Sequence, residues 1–294
     1  MDGEAISVKR VGADVVSMKH EAAAEKTKPS PSSPVGIFDS GVGGLTVMAE
    51  FIKQLPNEDV IYLADTARVP YGSRSEEEIL KFNREIMDYF VGRGVKMVII
   101  ACGTSSSIAY PVEKDKYTIP VVAMIAPGAR AALLATANGK IGVMATLGTV
   151  NSGAFPKAIK EMRATAEVHQ IACPLFVPLI EGGFIEADET RKVAKEYLKP
   201  LLKAGVDTII LGCTHYPHIK NMIADLAGAG ITLIDPAYEV VRDAKGILDK
   251  NIMVKAKTSL AKYEYVVTGS PLQFADAASR LMGKPISSVK QVKL

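Results

Sequence analysis

From residue 35 onward, short apolar runs of strand length recur between longer stretches of helical periodicity, at 35–38, 60–63, 95–101, 120–125, 141–145, 208–211, 231–234 and 263–267. Runs that are apolar on both faces cannot leave one face of a sheet in water. They belong in a parallel sheet covered by helices on both sides. The fold class is therefore α/β. In open sheets of this kind ligands sit beyond the carboxyl ends of the strands, so the residues that follow each run are the ones to inspect.

Two of those positions hold cysteine. Val98-Ile99-Ile100-Ala101 runs into Cys102-Gly103-Thr104, and Ile209-Ile210-Leu211-Gly212 runs into Cys213-Thr214-His215. A second correspondence links Gly36-Ile37-Phe38-Asp39-Ser40-Gly41 with Gly142-Val143-Met144-Ala145-Thr146-Leu147-Gly148. The halves read as diverged copies of one unit. Two pseudo-symmetric lobes, each a mainly parallel sheet flanked by helices, would bring the two thiols face to face across an active-site cleft between them.

Composition fits that plan. A chain of 294 residues with 48% hydrophobic content can bury a large core in two lobes. The 35 Lys+Arg against 32 Asp+Glu form no basic block, which argues against nucleic acid as a partner. Three cysteines without a disulfide framework point to reduced thiols and a cytoplasmic setting. No apolar run approaches the roughly 18 to 20 residues that span a bilayer, and no signal peptide opens the chain, so a membrane is not expected as a partner either. Residues 1–33, with mixed charge and a Pro/Ser-rich end, read as a flexible extension. An amphipathic helix over residues 11–24 is one option there, and a targeting peptide is disfavoured by the acidic residues.

A cysteine between a strand and a helix N-terminus lies near unpaired N–H groups and the positive end of the helix dipole. Both favour thiolate, and such sites bring the thiol down from about 8.5 toward neutrality. Two such groups on opposite faces of a substrate carbon make a two-base isomerase: one thiolate removes the α-proton, and the opposing thiol delivers another to the far face. No pyridoxal signature and no metal-ligand cluster occur, so no cofactor and no metal are expected. The weakly acidic α-proton then demands donors at the substrate carboxylate, exclusion of water and acid/base partners beside the thiols. Asp39, at the first strand end, can influence Cys102; His215 can exchange a proton with Cys213; Glu181 can reach the second lobe's side of the site. Ser40, Thr104, Thr214 and the turn Pro70-Tyr71-Gly72 are placed to clamp a substrate, and Gly41-Val42-Gly43-Gly44 can bring N–H groups close to an anion.

Plainer readings compete. A cysteine ending an apolar strand is ordinarily core filler, and Cys173, with no symmetric partner and Pro174 after it, is read that way. Neither Cys102 nor Cys213 belongs to a CxxC pair, which makes a zinc site a poor reading. Asp39 and Asp65 can each be helix caps. His218, after Pro217, is expected to face solvent, and His20 and His169 have no motif context. The 41–44 glycines do not complete a dinucleotide fingerprint, since Thr46 stands where the third glycine belongs.

Residues 35–47, Tyr62-Leu63-Ala64-Asp65-Thr66-Ala67-Arg68-Val69-Pro70-Tyr71-Gly72, the stretch from Cys173 to Glu181, and Leu211-Gly212-Cys213-Thr214-His215-Tyr216-Pro217 resemble bacterial glutamate racemases. The resemblance runs from Val35 nearly to the C-terminus. It implies a first lobe formed by 34–125 with 236–294, a second formed by 126–235, and interconversion of L- and D-glutamate, which supplies peptidoglycan synthesis. It implies that Cys213 deprotonates L-glutamate and Cys102 D-glutamate, assisted by Asp39, His215 and Glu181. Asp39, Ser40, Pro70, Tyr71, Gly72, Gly103, Thr104, Thr214 and His215 would line the substrate site, and a homodimer is a common assembly in the family. Two departures stand out: the family pattern Cys-Asn-Thr is here Cys102-Gly103-Thr104, and the extension before Val35 lies outside the shared core. A racemase for another acidic amino acid such as aspartate, and a non-catalytic regulatory binding protein, are the alternatives. Retention of both thiols disfavours the second.

Overall fold

The computed structural model describes residues 28–256 and 260–294. The expected helix over 11–24 and His20 lie outside these residues. Strands β1 (Val35–Asp39), β2 (Val60–Ala64), β3 (Met97–Ile100), β4 (Val121–Ala123), β5 (Lys140–Ala145), β6 (Glu167–Ala172), β7 (Thr208–Leu211), β8 (Thr232–Ile234), β9 (Tyr263–Val267) and β10 (Val289–Gln291) form two sheets. Their orders are β10-β9-β2-β1-β3-β4 and β6-β5-β7-β8, and every pairing is parallel. Each expected apolar run carries one of these strands. The class is α/β, with helices on both sheets.

Central strands are apolar for the reason anticipated. Every residue of β1, β2, β3 and β7 is buried, because helices cover both faces. One side of the first sheet packs Val35, Ile37, Tyr62 and Ile99 against the helices Leu45–Gln54 and Ala237–Lys250; the other packs Phe38, Leu63 and Val98 against Ile86 and Phe90 of the helix Glu76–Gly92. That last helix begins with a capping box: Ser75 accepts from the Glu78 N–H, and Glu78 accepts from the Ser75 N–H.

The internal repeat is visible in the topology. β2-β1-β3-β4 matches β6-β5-β7-β8 in order and direction. Corresponding bonds close the strand ends: Asp65 N–H donates to Asp39 O and Cys173 N–H to Ala145 O, while Ala101 N–H donates to Phe38 O and Gly212 N–H to Met144 O. Cys173 therefore stands where the first lobe has Asp65, and it has no thiol counterpart.

The chain joins the fold ahead of Val35. Lys96 is fully buried and donates Nζ to Pro31 O at 2.6 Å and to Met253 O at 2.8 Å, while pairing with the buried Glu58 carboxylate at 2.5 Å. The last residues of the expected flexible extension are thus held in place, because a buried ammonium needs the Pro31 carbonyl as an acceptor.

Candidate functional site

The strand ends of the two sheets enclose a cavity of roughly 410 Å³. Asp39, Ser40, Pro70, Tyr71, Gly72, Cys102, Gly103, Thr104, Glu181, Cys213, Thr214 and His215 all line it, so every expected site residue is brought to one place. Its remaining lining is Val69, Ser73, Thr146, Leu147, Cys173, Pro174, Val177 and Pro178, and no lysine or arginine is among these residues.

Cys102 follows β3 and stands at the N-cap position of the helix Gly103–Ile108. The expected depression of its thiol does not occur. Burial and the nearby Asp39 carboxylate push it up to about 12, outweighing the hydrogen bonds offered by Ser105 at the helix start. Cys213 has a different setting from the one expected. The chain after β7 turns into a short 3₁₀ segment, Tyr216–Ile219, and the thiol's polar neighbour is the imidazole of His215, with Sγ 3.8 Å from Nδ1.

His215 is buried, and its Nε2–H donates to Glu181 Oε1 at 2.9 Å. Burial alone would lower its pKa, but the hydrogen bonds to Cys213 and Glu181 raise it to about 10, so the ring is an imidazolium at neutral pH. Asp39 is the counterpart on the first lobe. Burial raises its carboxyl above the usual range against the attraction of His215 and the Gly44 and Gly41 N–H groups, whose donors lie 2.9 and 3.4 Å from Oδ2. The Thr214 hydroxyl also donates to it, at 3.4 Å. Asp39 is no helix cap, since the helix Leu45–Gln54 has no side-chain cap. The anion served by the glycine stretch is this carboxylate, and the stretch is also a close approach: a Cβ on Gly43 would stand 2.5 Å from both Thr214 Oγ1 and His215 Nδ1.

The turn 70–72 is fixed from behind. The Tyr71 hydroxyl donates to Asp65 Oδ2 and so is committed away from a substrate-clamping role. The fully buried Asp65 also accepts from Arg68 Nε at 2.6 Å and Thr268 Oγ1 at 2.7 Å, and the Arg68 guanidinium lies over the Phe82 ring at 4.2 Å. Asp65 is an anchor, not a cap. Across the cleft, Thr104 Oγ1 and Thr146 Oγ1 are 2.9 Å apart.

Two other expectations concern Cys173 and His218. Cys173 belongs to the core of the second lobe, packed with Phe176 and Tyr216, yet it also lines the cavity. His218 is half-buried; desolvation and the His215 charge lower it to about 4, so it is neutral and does not face solvent. Thr146 was legible in principle, because the register Gly36 to Gly142 puts it opposite Ser40. The apolar rim of Val69, Leu147, Val177 and Pro178 carries no comparable mark in the sequence. Among the described residues, no group of three or more His, Cys, Asp or Glu side chains is arranged to hold a metal ion, and no helix is long and apolar enough to cross a membrane.

Comparison with known proteins adds to this geometry. Residues 38–244 match the family model described as Asp/Glu/Hydantoin racemase. The glutamate racemase of Listeria monocytogenes serotype 4b is 44% identical over 260 residues, spanning 88% of this chain and 98% of that one. The chain belongs to the glutamate racemase family. Its amino-acid isomerase class follows from that membership. Among solved structures, the RacE1 isoform from Bacillus anthracis superposes with a TM-score of 0.85 at 38% identity, covering 89% of this chain and 98% of that one. The glutamate racemase of Francisella tularensis subsp. tularensis SCHU S4, solved in complex with D-glutamate, superposes at 0.83 with 36% identity, covering 90% and 98%. The two-lobed α/β arrangement is the one these racemases share.

Proposed function

We propose that Cys102 and Cys213 interconvert L- and D-glutamate by removing and returning the α-proton on opposite faces of the substrate. The observation that carries this reading is the pair of thiols at the ends of corresponding strands, β3 and β7, lining one cavity. Each has its own acid/base partner: the raised carboxyl of Asp39 for Cys102, and the His215 imidazolium, held by Glu181, for Cys213.

The proton bookkeeping follows from those partners. In the L-to-D direction the Cys213 thiolate takes the α-proton and Cys102, held as a thiol, delivers its own to the opposite face. In reverse, the Cys102 proton passes first to Asp39 and the His215 imidazolium protonates the Cys213 thiolate; the Cys102 thiolate then removes the α-proton of D-glutamate, and the Cys213 thiol delivers its proton to the opposite face. Burial that disfavours a free thiolate also raises its basicity once formed, which the weakly acidic α-proton requires. The hydroxyls of Ser40, Thr104 and Thr214, with main-chain N–H groups, receive the substrate's carboxylates, since no lysine or arginine lines the cavity.

Family membership supports the remainder of the reading: D-glutamate supply to peptidoglycan synthesis, a cytoplasmic location and a homodimer. The strands of each sheet support lobes of 34–125 with 236–294, and 126–235. The test is incubation of purified protein with L- or D-glutamate in deuterated water, without pyridoxal phosphate, following optical inversion and α-deuterium uptake together. Inversion with deuterium in the product is expected. Turnover of aspartate alone would transfer the assignment to that substrate, and silence on both would leave a binding protein.

A further inference from the structure

The two thiol-bearing loops touch through main chain, and they do so at the position where this chain departs from the family pattern. A Cβ built on Gly103 would stand 2.3 Å from the Gly212 carbonyl oxygen, far inside contact distance, and 3.7 Å from Thr149 Oγ1. Gly103 directly follows Cys102 and Gly212 directly precedes Cys213. Neither partner is free to give way. The Gly212 N–H is bonded to Met144 O at 2.8 Å in the register of the second sheet, and Gly103 opens a helix whose first turn is closed by Ser106 N–H on Cys102 O at 2.9 Å. On the far side, a Cβ on Gly212 would stand 3.0 Å from Ala145 Cβ and Met144 O, so the peptide is backed by the sheet itself.

We propose that Gly103 determines the spacing of the two thiols: lacking a side chain, it lets the Gly212 carbonyl rest against the Cys102 loop and thereby fixes the distance across which a proton is removed and replaced. The position acts through the separation of the lobes, and any side chain there must push the Cys213 loop away. This inference rests on the two-thiol reading above. It makes Gly103 a positioning residue and places no burden of substrate contact on it.

The experiment is to compare Gly103→Ala and Gly103→Asn with the unchanged protein, measuring inversion of L- and D-glutamate and α-proton exchange into deuterated water. If spacing is what matters, either substitution lowers kcat for inversion at least tenfold in both directions. Exchange with retention of configuration falls less, because one thiol still reaches the α-carbon while its partner no longer does, so the ratio of exchange to inversion rises severalfold. Inversion at the unchanged rate in Gly103→Ala, improved kcat/KM in Gly103→Asn, or equal loss of exchange and inversion with a raised KM would each overturn the proposal. Circular dichroism melting establishes that the variants fold. Should they not, small-angle scattering of the unchanged protein decides: lobes already in main-chain contact show no contraction when saturating D-glutamate is added, and a measurable contraction contradicts the inference. Failure of the unchanged protein to exchange or invert either enantiomer strikes the two-thiol reading itself, and is thereby distinguished from failure of the spacing argument.

Discussion

At the scale of single residues, the site pairs two thiols with unlike helpers, and the helpers carry opposite charge. His215 is raised from its ordinary 6.5 to about 10 by Cys213 and Glu181. A cation stabilised in the fold contributes stability that is fully present below about 6.5 and is lost as pH rises through about 10. The difference in melting temperature between the protein and His215→Asn should therefore narrow steadily from pH 6.5 to pH 10; a constant gap would contradict the charged imidazole. Removing that acid should also cost about 10² to 10⁴ in kcat/KM, the usual worth of a positioned proton donor. The cysteines, Asp39 and His215 were legible because a strand end is where an open α/β sheet presents its chemistry. Their protonation was not. The helix start that would lower Cys102 is a local feature, whereas the burial that raises it comes from packing with Tyr71, Ile79, Phe82 and Ala109, a tertiary arrangement no local pattern records.

At the scale of elements, two buried networks hold the cavity's supports in place. Asp65 ties the Tyr71 turn to Arg68 and to Thr268 just past β9, so Asp65→Ala strands a phenol and a hydroxyl at once and leaves the Arg68 guanidinium with Glu85 alone. The expected loss is about 2 kcal/mol or more in urea unfolding, with a raised KM for glutamate as the 70–72 turn relaxes. Lys96 and Glu58 are the second network. Lys96→Met leaves an uncompensated buried carboxylate and should cost about 3 to 5 kcal/mol, whereas adding Glu58→Gln should restore part of it. Additive losses in the double variant would show that the pair is not coupled. Neither network could be read whole from the sequence, since Thr268 lies far along the chain from Asp65 and Lys96 from Glu58. The same reason explains the overlooked strands. β6, Glu-Val-His-Gln-Ile-Ala, is a half-exposed edge strand and has no continuous apolar run, and β10 is three residues long. An edge has only one neighbour and one well-covered face, so its sequence need not be apolar.

At the scale of the whole molecule, the repeat is the organising fact. Two sheets share the order β2-β1-β3-β4 and β6-β5-β7-β8, and their strand ends close on one cavity with hydroxyl contact between Thr104 and Thr146 across it. That symmetry matches the chemistry, because a racemase treats mirror-image substrates with mirror-related groups. L- and D-glutamate have equal free energies in water, so kcat/KM must be the same in both directions for the protein and for every variant. A single-thiol variant therefore loses inversion both ways, and the handedness of each cysteine appears only in exchange of the α-proton. The measurement that tests the central claim most directly is α-deuterium incorporation by Cys102→Ala and Cys213→Ala, each given L- and D-glutamate separately in deuterated water. The account predicts that Cys213→Ala exchanges D-glutamate alone and Cys102→Ala exchanges L-glutamate alone, with configuration retained. Exchange of both enantiomers by either variant, or continued inversion, would contradict it.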